Sequence, residues 1–291
     1  MLATTGKPFD SDDYLFEIKW DGIRVSVYVE DGAYRLKSRK GNEMTGRYPE
    51  LDGLASLPEG TLLDGELVVL NERGLPDFRA VLSREQARAP LRIQQSARSS
   101  PTTLIIFDQL YAEFSPLVDE PFHVRRQRLL DTIETCESPR LIPSDGVVGP
   151  GQAYFEEVVA AGLEGLVAKR LDASYQVGHR SESWIKMRRR SSLLCTIIGY
   201  VPSGDDFESL IVASDDHGML RCVGRVGNGF DRALRGELNE LLRDRHCDEP
   251  LIESAERGQW VKAGLYCSVA FLERTATGYL REPVFERLVD R

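Results

Sequence analysis

The sequence predicts an α+β protein built from two domains. Two patterns and the chain length carry that expectation. Period-two alternation recurs through the first 190 residues, interrupted by three stretches of helical period, and then continues to the C-terminus with only one. A chain of 291 residues has room for two ordinary domains and a sizeable core in each. The boundary falls near Arg190, giving domains over 1–190 and 191–291.

The first elements are strands. Tyr14 to Lys19 alternates apolar and polar, Asp21-Gly22 turns the chain, and Ile23 to Val29 alternates again. Asp31-Gly32 is a hairpin signal leading into Ala33 to Ser38. Thr61 to Leu70 and Thr103 to Phe107 are apolar strands, the second ending at Phe107. Leu166 to Lys169 and Trp184 to Arg188 are short ones. Helical period appears around 77–87, 120–135 and 151–161. In the second domain, Leu193 to Val201, Phe207 to Val212 and Met219 to Val226 read as strands. Asp231 to Leu242 reads as a helix and Leu265 to Glu273 as the last strand. About a hundred strand-rich residues with one helix fit a small Greek-key barrel.

Composition narrows the function. No apolar run approaches the roughly 20 residues of a membrane span, and Met1 to Thr5 lacks signal-peptide character, so the cytoplasm is expected. Five scattered cysteines contain no Cys-x-x-Cys, which argues against structural zinc and a disulfide framework. The net charge of −9 is unusual for a nucleic-acid enzyme, and residues 191–291 carry 12 Lys/Arg against 17 Asp/Glu. Local basic groups remain: Arg35, Lys37, Arg39, Lys40 and Arg47; then Arg79, Arg84, Arg88, Arg92 and Arg98; then Arg188-Arg189-Arg190. Together they form a candidate stripe for tracking phosphates, with binding that is weak and salt-sensitive.

Lys19 is the most chemically suggestive residue. It sits at a predicted strand end beside a turn, in Glu17-Ile18-Lys19-Trp20-Asp21-Gly22-Ile23-Arg24. An amine so placed is held rigidly yet exposed. To attack, it must shed its proton, and cations brought close to it would press in that direction, with Arg24, Lys169 and Lys186 as the candidates. Glu66 and Glu164 each stand beside a glycine, suited to close approach of a ligand. Two such carboxylates are the hard oxygen ligands that a divalent cation takes. Gly224 to Gly229 resembles a phosphate loop only superficially and reads as a glycine-rich turn.

Five pieces occur in one order: Lys19-Trp20-Asp21-Gly22, Asp64-Gly65-Glu66, Phe107-Asp108, Glu164 to Lys169, and Trp184 to Arg188. In that order the chain resembles the ATP-dependent DNA ligases, and among them the ligase module of bacterial end-joining ligase D. The likeness runs through nearly the whole length, including Val223 to Gly227 and Trp260-Val261-Lys262. It implies a nucleotidyltransferase (adenylation) domain of antiparallel sheets and helices, followed by an OB-fold barrel.

The resemblance also implies roles. Lys19 would be the nucleophile that takes AMP. Lys169, Lys186 and Arg188 would hold the triphosphate, although an arginine at 188 replaces the usual second lysine. Glu17 would read the adenine amino group beside Ile18, Phe107 would stack on the base, and Glu66 would meet the ribose or a metal. Glu164 would bind metal, as Mg²⁺ or Mn²⁺. Arg24 and Arg39 match family arginines, with Arg39 suited to the 5′-phosphate of a nick. The tail departs from the family's closing Arg-x-Asp-Lys: Asp290-Arg291 echoes its end, and its first arginine is missing or displaced to Arg287.

The expected activity is nick sealing through lysyl-AMP and adenylylated DNA, by a monomer at the bacterial nucleoid. Nicked or broken double-stranded DNA would be its substrate and an end-binding repair protein its possible partner. An RNA ligase of the same chemistry and a catalytically impaired nucleic-acid-binding relative stand as alternatives. Glu17 argues against a capping enzyme that uses GTP.

Overall fold

The computed structural model describes every residue except His217, Ala276, Asp290 and Arg291. The chain divides into two compact units, Met1–Arg188 and Arg189–Arg291.

In the first unit the strands are β1 (Leu2–Thr5), β2 (Ser11–Ile18), β3 (Ile23–Glu30), β4 (Ala33–Ser38), β5 (Thr61–Val69), β6 (Thr102–Ala112), β7 (Ser115–Pro116), β8 (Leu141–Pro143), β9 (Gly146–Gly149), β10 (Gly165–Arg170) and β11 (Arg180–Arg188). They build two sheets. One has the order β1-β11-β10-β2-β9; the other runs β4-β3-β5-β6-β7, with β8 beside β6. Only β1 with β11 and β8 with β6 pair in parallel; the remaining pairs of both sheets are antiparallel. The Asp31-Gly32 turn joins β3 to β4, both residues having positive φ as a tight hairpin requires.

Helices α1 (Phe78–Gln86), α2 (Pro90–Ser99), α3 (Phe122–Glu134) and α4 (Gly151–Ala160) sit between the strands in sequence. α1 starts where Asp77 accepts from the Ala80 amide at 3.0 Å, a cap whose loss costs about 1 kcal/mol. α3 buries Phe122 and Leu129, and Leu129 joins the core of the second sheet. Val158 of α4 packs on Phe16, Leu166 and Met187 of the first sheet. Leu110 and Phe107 of β6 meet Trp184 of β11 in a smaller cluster, so the two sheets of this unit approach each other there.

In the second unit β12 (Ser191–Ser203), β13 (Asp206–Asp216) and β14 (Met219–Val226) form consecutive antiparallel pairs, followed by α5 (Arg232–Asp244), β15 (His246–Cys247), β16 (Gln259–Val261), β17 (Tyr266–Phe271) and β18 (Val284–Val289). β12 is shared. Its first half pairs with β17 (Ser191 opposite Phe271), and Gly199 and Tyr200 pair with β16. The sheet curls over Ile197, Phe207, Leu210, Val212 and Phe285, and Leu238 and Leu242 of α5 close that core. This is the small barrel expected from the sequence.

Four expectations change. The last strand is β18, not the 265–273 segment; Val284–Val289 pairs with β17, but its residues do not alternate in polarity and so give no strand signal in the sequence. β6 runs on to Ala112, so Phe107 lies inside a strand. α2 escaped the periodicity because it buries none of its residues. Arg84 also leaves the proposed basic stripe: it is buried and gripped by both oxygens of Glu50, at 2.7 and 2.8 Å. Among the described residues no helix is long and apolar enough to cross a membrane.

Candidate active site

The register of β2, β10 and β11 explains why the motifs converge. Glu17 stands opposite Val167, and Val167 opposite Lys186; Leu15, Lys169 and Trp184 form the neighbouring row. Residues two apart on a strand share a face, so Glu17, Lys169, Trp184 and Lys186 all project to one side. Lys19 lies one residue beyond the end of β2, tied by its amide to the Gly165 carbonyl at 2.8 Å.

The facing wall comes from the second sheet. Arg24 of β3 is opposite Glu66 of β5. The β5–β6 register passes from Asp64 opposite Asp108 to Gly65 opposite Ile106, which leaves Phe107 as an extra, unpaired residue. Such a bulge re-aims a side chain. Phe107 is half-buried, its ring edge-on to Trp184 with centroids 5.8 Å apart. Between these walls lies a cavity of about 270 Å³ lined by Glu17, Lys19, Arg24, Glu66, Phe107 and Lys186. Ile18, Arg39 and Lys169 also line it. Arg39, just past β4, is exposed.

The charges are closely matched. Lys19 Nζ lies 2.6 Å from Glu164 Oε2, with both side chains about a quarter exposed (24% and 26%). Arg188 approaches the other oxygen of Glu164 at 3.9 Å. Arg24 binds Asp64 through two nitrogens, at 3.0 and 2.6 Å. Lys169 Nζ donates to Glu17 Oε2 and to the Phe107 carbonyl, both at 2.8 Å. The cationic pressure on Lys19 expected from Arg24 and Lys169 is therefore met by acids: each of these cations has its own carboxylate.

Burial sets the remaining electrostatics. It pushes the Glu17 carboxyl up and the Lys169 ammonium down, and each opposes the shift of the other. Glu66 is pushed up to about 8 by burial, against the pull of Lys19 and Arg24. Among the described residues no group of three or more acidic, histidine or cysteine side chains forms a metal site. Two carboxylates, Glu66 and Glu164, supply donors of the right chemistry. Mg²⁺ is commonly held by one or two carboxylates together with waters and substrate phosphates, so the residues present fit that mode and not a closed protein cage.

The motif glycines serve the strands. At Gly165, with φ of 144°, a Cβ would fall on the Met187 carbonyl oxygen; at Gly65 it would sit 2.6 Å from the Ile105 oxygen. Their small size lets strands pack closely beside Glu164 and Glu66, which is a different reason from the ligand approach expected.

Several residues at the site carry no local sequence signal. Arg126 of α3 reaches Glu17 Oε1 at 3.3 Å. Tyr175 donates to Asp64 at 2.7 Å. Arg180 lines the cavity and donates to the Ala3 carbonyl. Arg125 pairs with Asp108 beneath Phe107. The Arg125-Arg126 doublet on an otherwise amphipathic helix was the one available hint. Of the tail motif, Arg287 lies in β18 opposite Ser268, and Asp290-Arg291 falls outside the described residues.

The protein thus presents a two-walled pocket with a lysine amine at a strand end. Comparison gives its family. The ATP dependent DNA ligase domain model matches residues 1–188, and the model of the ATP dependent DNA ligase C terminal region matches 203–290. The chain belongs to the ATP-dependent DNA ligase family.

Among its relatives is the multifunctional non-homologous end joining protein LigD of Mycolicibacterium smegmatis, 32% identical over 99% of this chain and 38% of the relative. The chain thus spans a little over a third of the length of that protein. A DNA ligase of Thermococcus onnurineus is 33% identical over 85% of this chain and 45% of the relative. The solved ligase domain of M. tuberculosis LigD is 31% identical, with a TM-score of 0.59 over 99% of this chain and 94% of that one. A mycobacterial DNA ligase D complexed with ATP aligns at 30% identity and TM-score 0.57, covering 100% and 94%. The second unit is accordingly the OB-fold that follows the adenylation domain.

Proposed function

We propose that this chain seals 5′-phosphate/3′-hydroxyl nicks in double-stranded DNA through a lysyl-AMP intermediate. The observation that carries the reading is Lys19 itself: an amine at a rigid strand end, opening on a cavity that also presents Phe107, Glu17, Glu66 and Lys186.

In the first step the Lys19 amine attacks the α-phosphorus of ATP. An N–P bond forms, the bond to the bridging oxygen breaks, and pyrophosphate leaves. The 5′-phosphate of the nick then displaces Lys19, giving a 5′–5′ pyrophosphate link to AMP. The 3′-hydroxyl attacks that 5′-phosphate, AMP departs, and the strand is closed. Phe107 offers its ring to adenine, Glu17 an acceptor to the exocyclic amine, and Glu66 an oxygen to the ribose or to a metal. Lys186 and Arg188 face the phosphates. Arg39, exposed at the mouth, takes the 5′-phosphate.

Glu164 holds Lys19 in the resting site, so its carboxylate must turn elsewhere before attack. A divalent cation, Mg²⁺ or Mn²⁺, held by Glu164 and Glu66 with the phosphates would supply charge neutralisation at the transferring group. We place the activity in bacterial end joining, in the cytoplasm at the nucleoid, with the chain acting as a monomer beside a separate end-binding protein. The LigD likeness over nearly the full chain supports that setting.

The test strips bound AMP with pyrophosphate, then adds Mg²⁺ and α-labelled ATP. Label on the denatured wild-type chain and none on Lys19→Ala is expected, together with sealing of a nicked duplex. Equal labelling of both proteins would sink the nucleophile assignment.

A further inference from the structure

Glu17 is the least exposed carboxylate lining the cavity, at 2%. Both of its oxygens are engaged by cations. Lys169 holds Oε2 at 2.8 Å, while Arg126 reaches Oε1 at 3.3 Å from helix α3. Arg126 is itself anchored: the same Nη1 donates to the Ser144 carbonyl at 2.8 Å, and Nη2 lies 3.8 Å from Asp145. Its side chain is 16% exposed, so the guanidinium is largely withdrawn from water. Lys169 cannot swing away either, being enclosed by the rings of Phe107, Trp184 and Phe122 at 4.4, 4.7 and 5.0 Å.

We propose that Arg126 is a positioning residue for base selection, acting through Glu17 to keep its carboxylate ionised and aimed at the adenine edge. The inference rests on the nucleotide reading of the cavity given above.

The physical argument is one of proton bookkeeping. A carboxylate accepts from the exocyclic amine of adenine. A protonated carboxyl can instead donate to the carbonyl oxygen that guanine carries at the same position. Burial alone favours the protonated form of Glu17; the two flanking cations oppose it. Lys169 is the weaker guardian, because burial also favours its neutral form. An arginine stays charged in any such setting. Removing Arg126 therefore leaves a buried pair able to pass a proton between its members, and with it the preference for an acceptor at that edge. Arg126 is not among the residues lining the cavity and reaches it through Glu17, so the effect is on which base is held and how tightly.

The experiment compares wild type, Arg126→Met, Arg126→Lys, Glu17→Gln and the Glu17→Gln/Arg126→Met double variant, each after pyrophosphate stripping. Single-turnover labelling is followed against ATP and GTP concentration. Arg126→Met is expected to raise the half-saturating ATP concentration about tenfold, with the saturated rate changed less than threefold. Its ATP-to-GTP preference should fall at least tenfold. Arg126→Lys should recover part of that preference, since a cation is restored without the second anchor. In the Glu17→Gln background the Arg126→Met change should alter preference less than twofold, because its target is gone. An unchanged ATP-to-GTP preference in Arg126→Met overturns the inference, even if labelling weakens or the protein melts earlier. So does a further large change in the double variant. Absence of label in the wild type would instead fail the enzyme reading, which separates the two.

Discussion

Asp108 and Arg125 meet in a two-pronged ion pair with both side chains at 0% exposure, Nε to Oδ1 and Nη2 to Oδ2 each at 2.8 Å. Arg125 also donates to the carbonyls of Glu120 and Ala173 at 2.7 and 3.0 Å, so its remaining nitrogen is satisfied. The pair fixes α3 and the 173–175 loop to β6 one residue after Phe107. Asp108→Asn should therefore lower stability by about 3–5 kcal/mol, because it leaves a buried cation short of its partner. Replacing both residues, as Asp108→Leu/Arg125→Met, should restore much of that loss. Urea melts of the two variants check this; equal destabilisation by the single and double changes would contradict it.

Glu66 gives a pH signature. Its folded value of about 8 lies above its ordinary value of 4.5. Below 4.5 the carboxyl is protonated folded or unfolded and contributes nothing. Between 4.5 and about 8 the unfolded chain ionises first, so stability falls as pH rises, and the loss is complete above 8. Glu66→Gln should thus stabilise the nucleotide-free protein by about 1–3 kcal/mol at pH 8, after allowance for the residue's partial exposure, and by almost nothing at pH 4. Thermal melts across that range decide it: a gap that does not widen with pH refutes the expectation.

The Lys19–Glu164 pair is a quarter exposed, which limits its worth to the fold. Glu164→Gln should change stability by less than about 1 kcal/mol. Labelling by ATP should nonetheless slow at least tenfold, since the residue is proposed to serve the phosphates through a cation. A variant that melts normally and labels normally would remove Glu164 from the site.

Arg79, Arg88, Arg92 and Arg98 remain exposed on and beside α1 and α2, in a chain of net charge −9. Affinity for a nicked duplex should fall at least tenfold between about 50 and 200 mM salt. Arg92→Glu/Arg98→Glu should weaken binding and flatten the salt slope. Fluorescence anisotropy with a labelled nick measures both; an unaltered slope would place the duplex elsewhere.

Much of the site was legible because strands transmit spacing faithfully. Glu17 and Lys19, or Lys186 and Arg188, are two apart and must share a face. The order of the motifs carried the resemblance that named Lys19, Glu66, Phe107 and Lys186, and these line one cavity. Arg126, Arg125 and Tyr175 were not legible, since each comes from a helix or loop whose neighbours give no sign of what it faces. The basic cluster misled at Arg84 for a related reason: sequence shows the charge but not Glu50, which lies far away along the chain and neutralises it. β16 and β18 escaped because strands of 3 and 6 residues in mixed polarity lack a readable period.

The bulge at Phe107 has a consequence for the length of the chain. Removing that one residue would set Ile106 beside Asp108 with Gly65 and Asp64 still opposite them, so the rest of β6 would keep its faces and Asp108 its pairing with Arg125. The strand would close up as a regular ladder and lose the ring it shows to the cavity. Phe107 is thus a residue the sheet can do without and the pocket cannot.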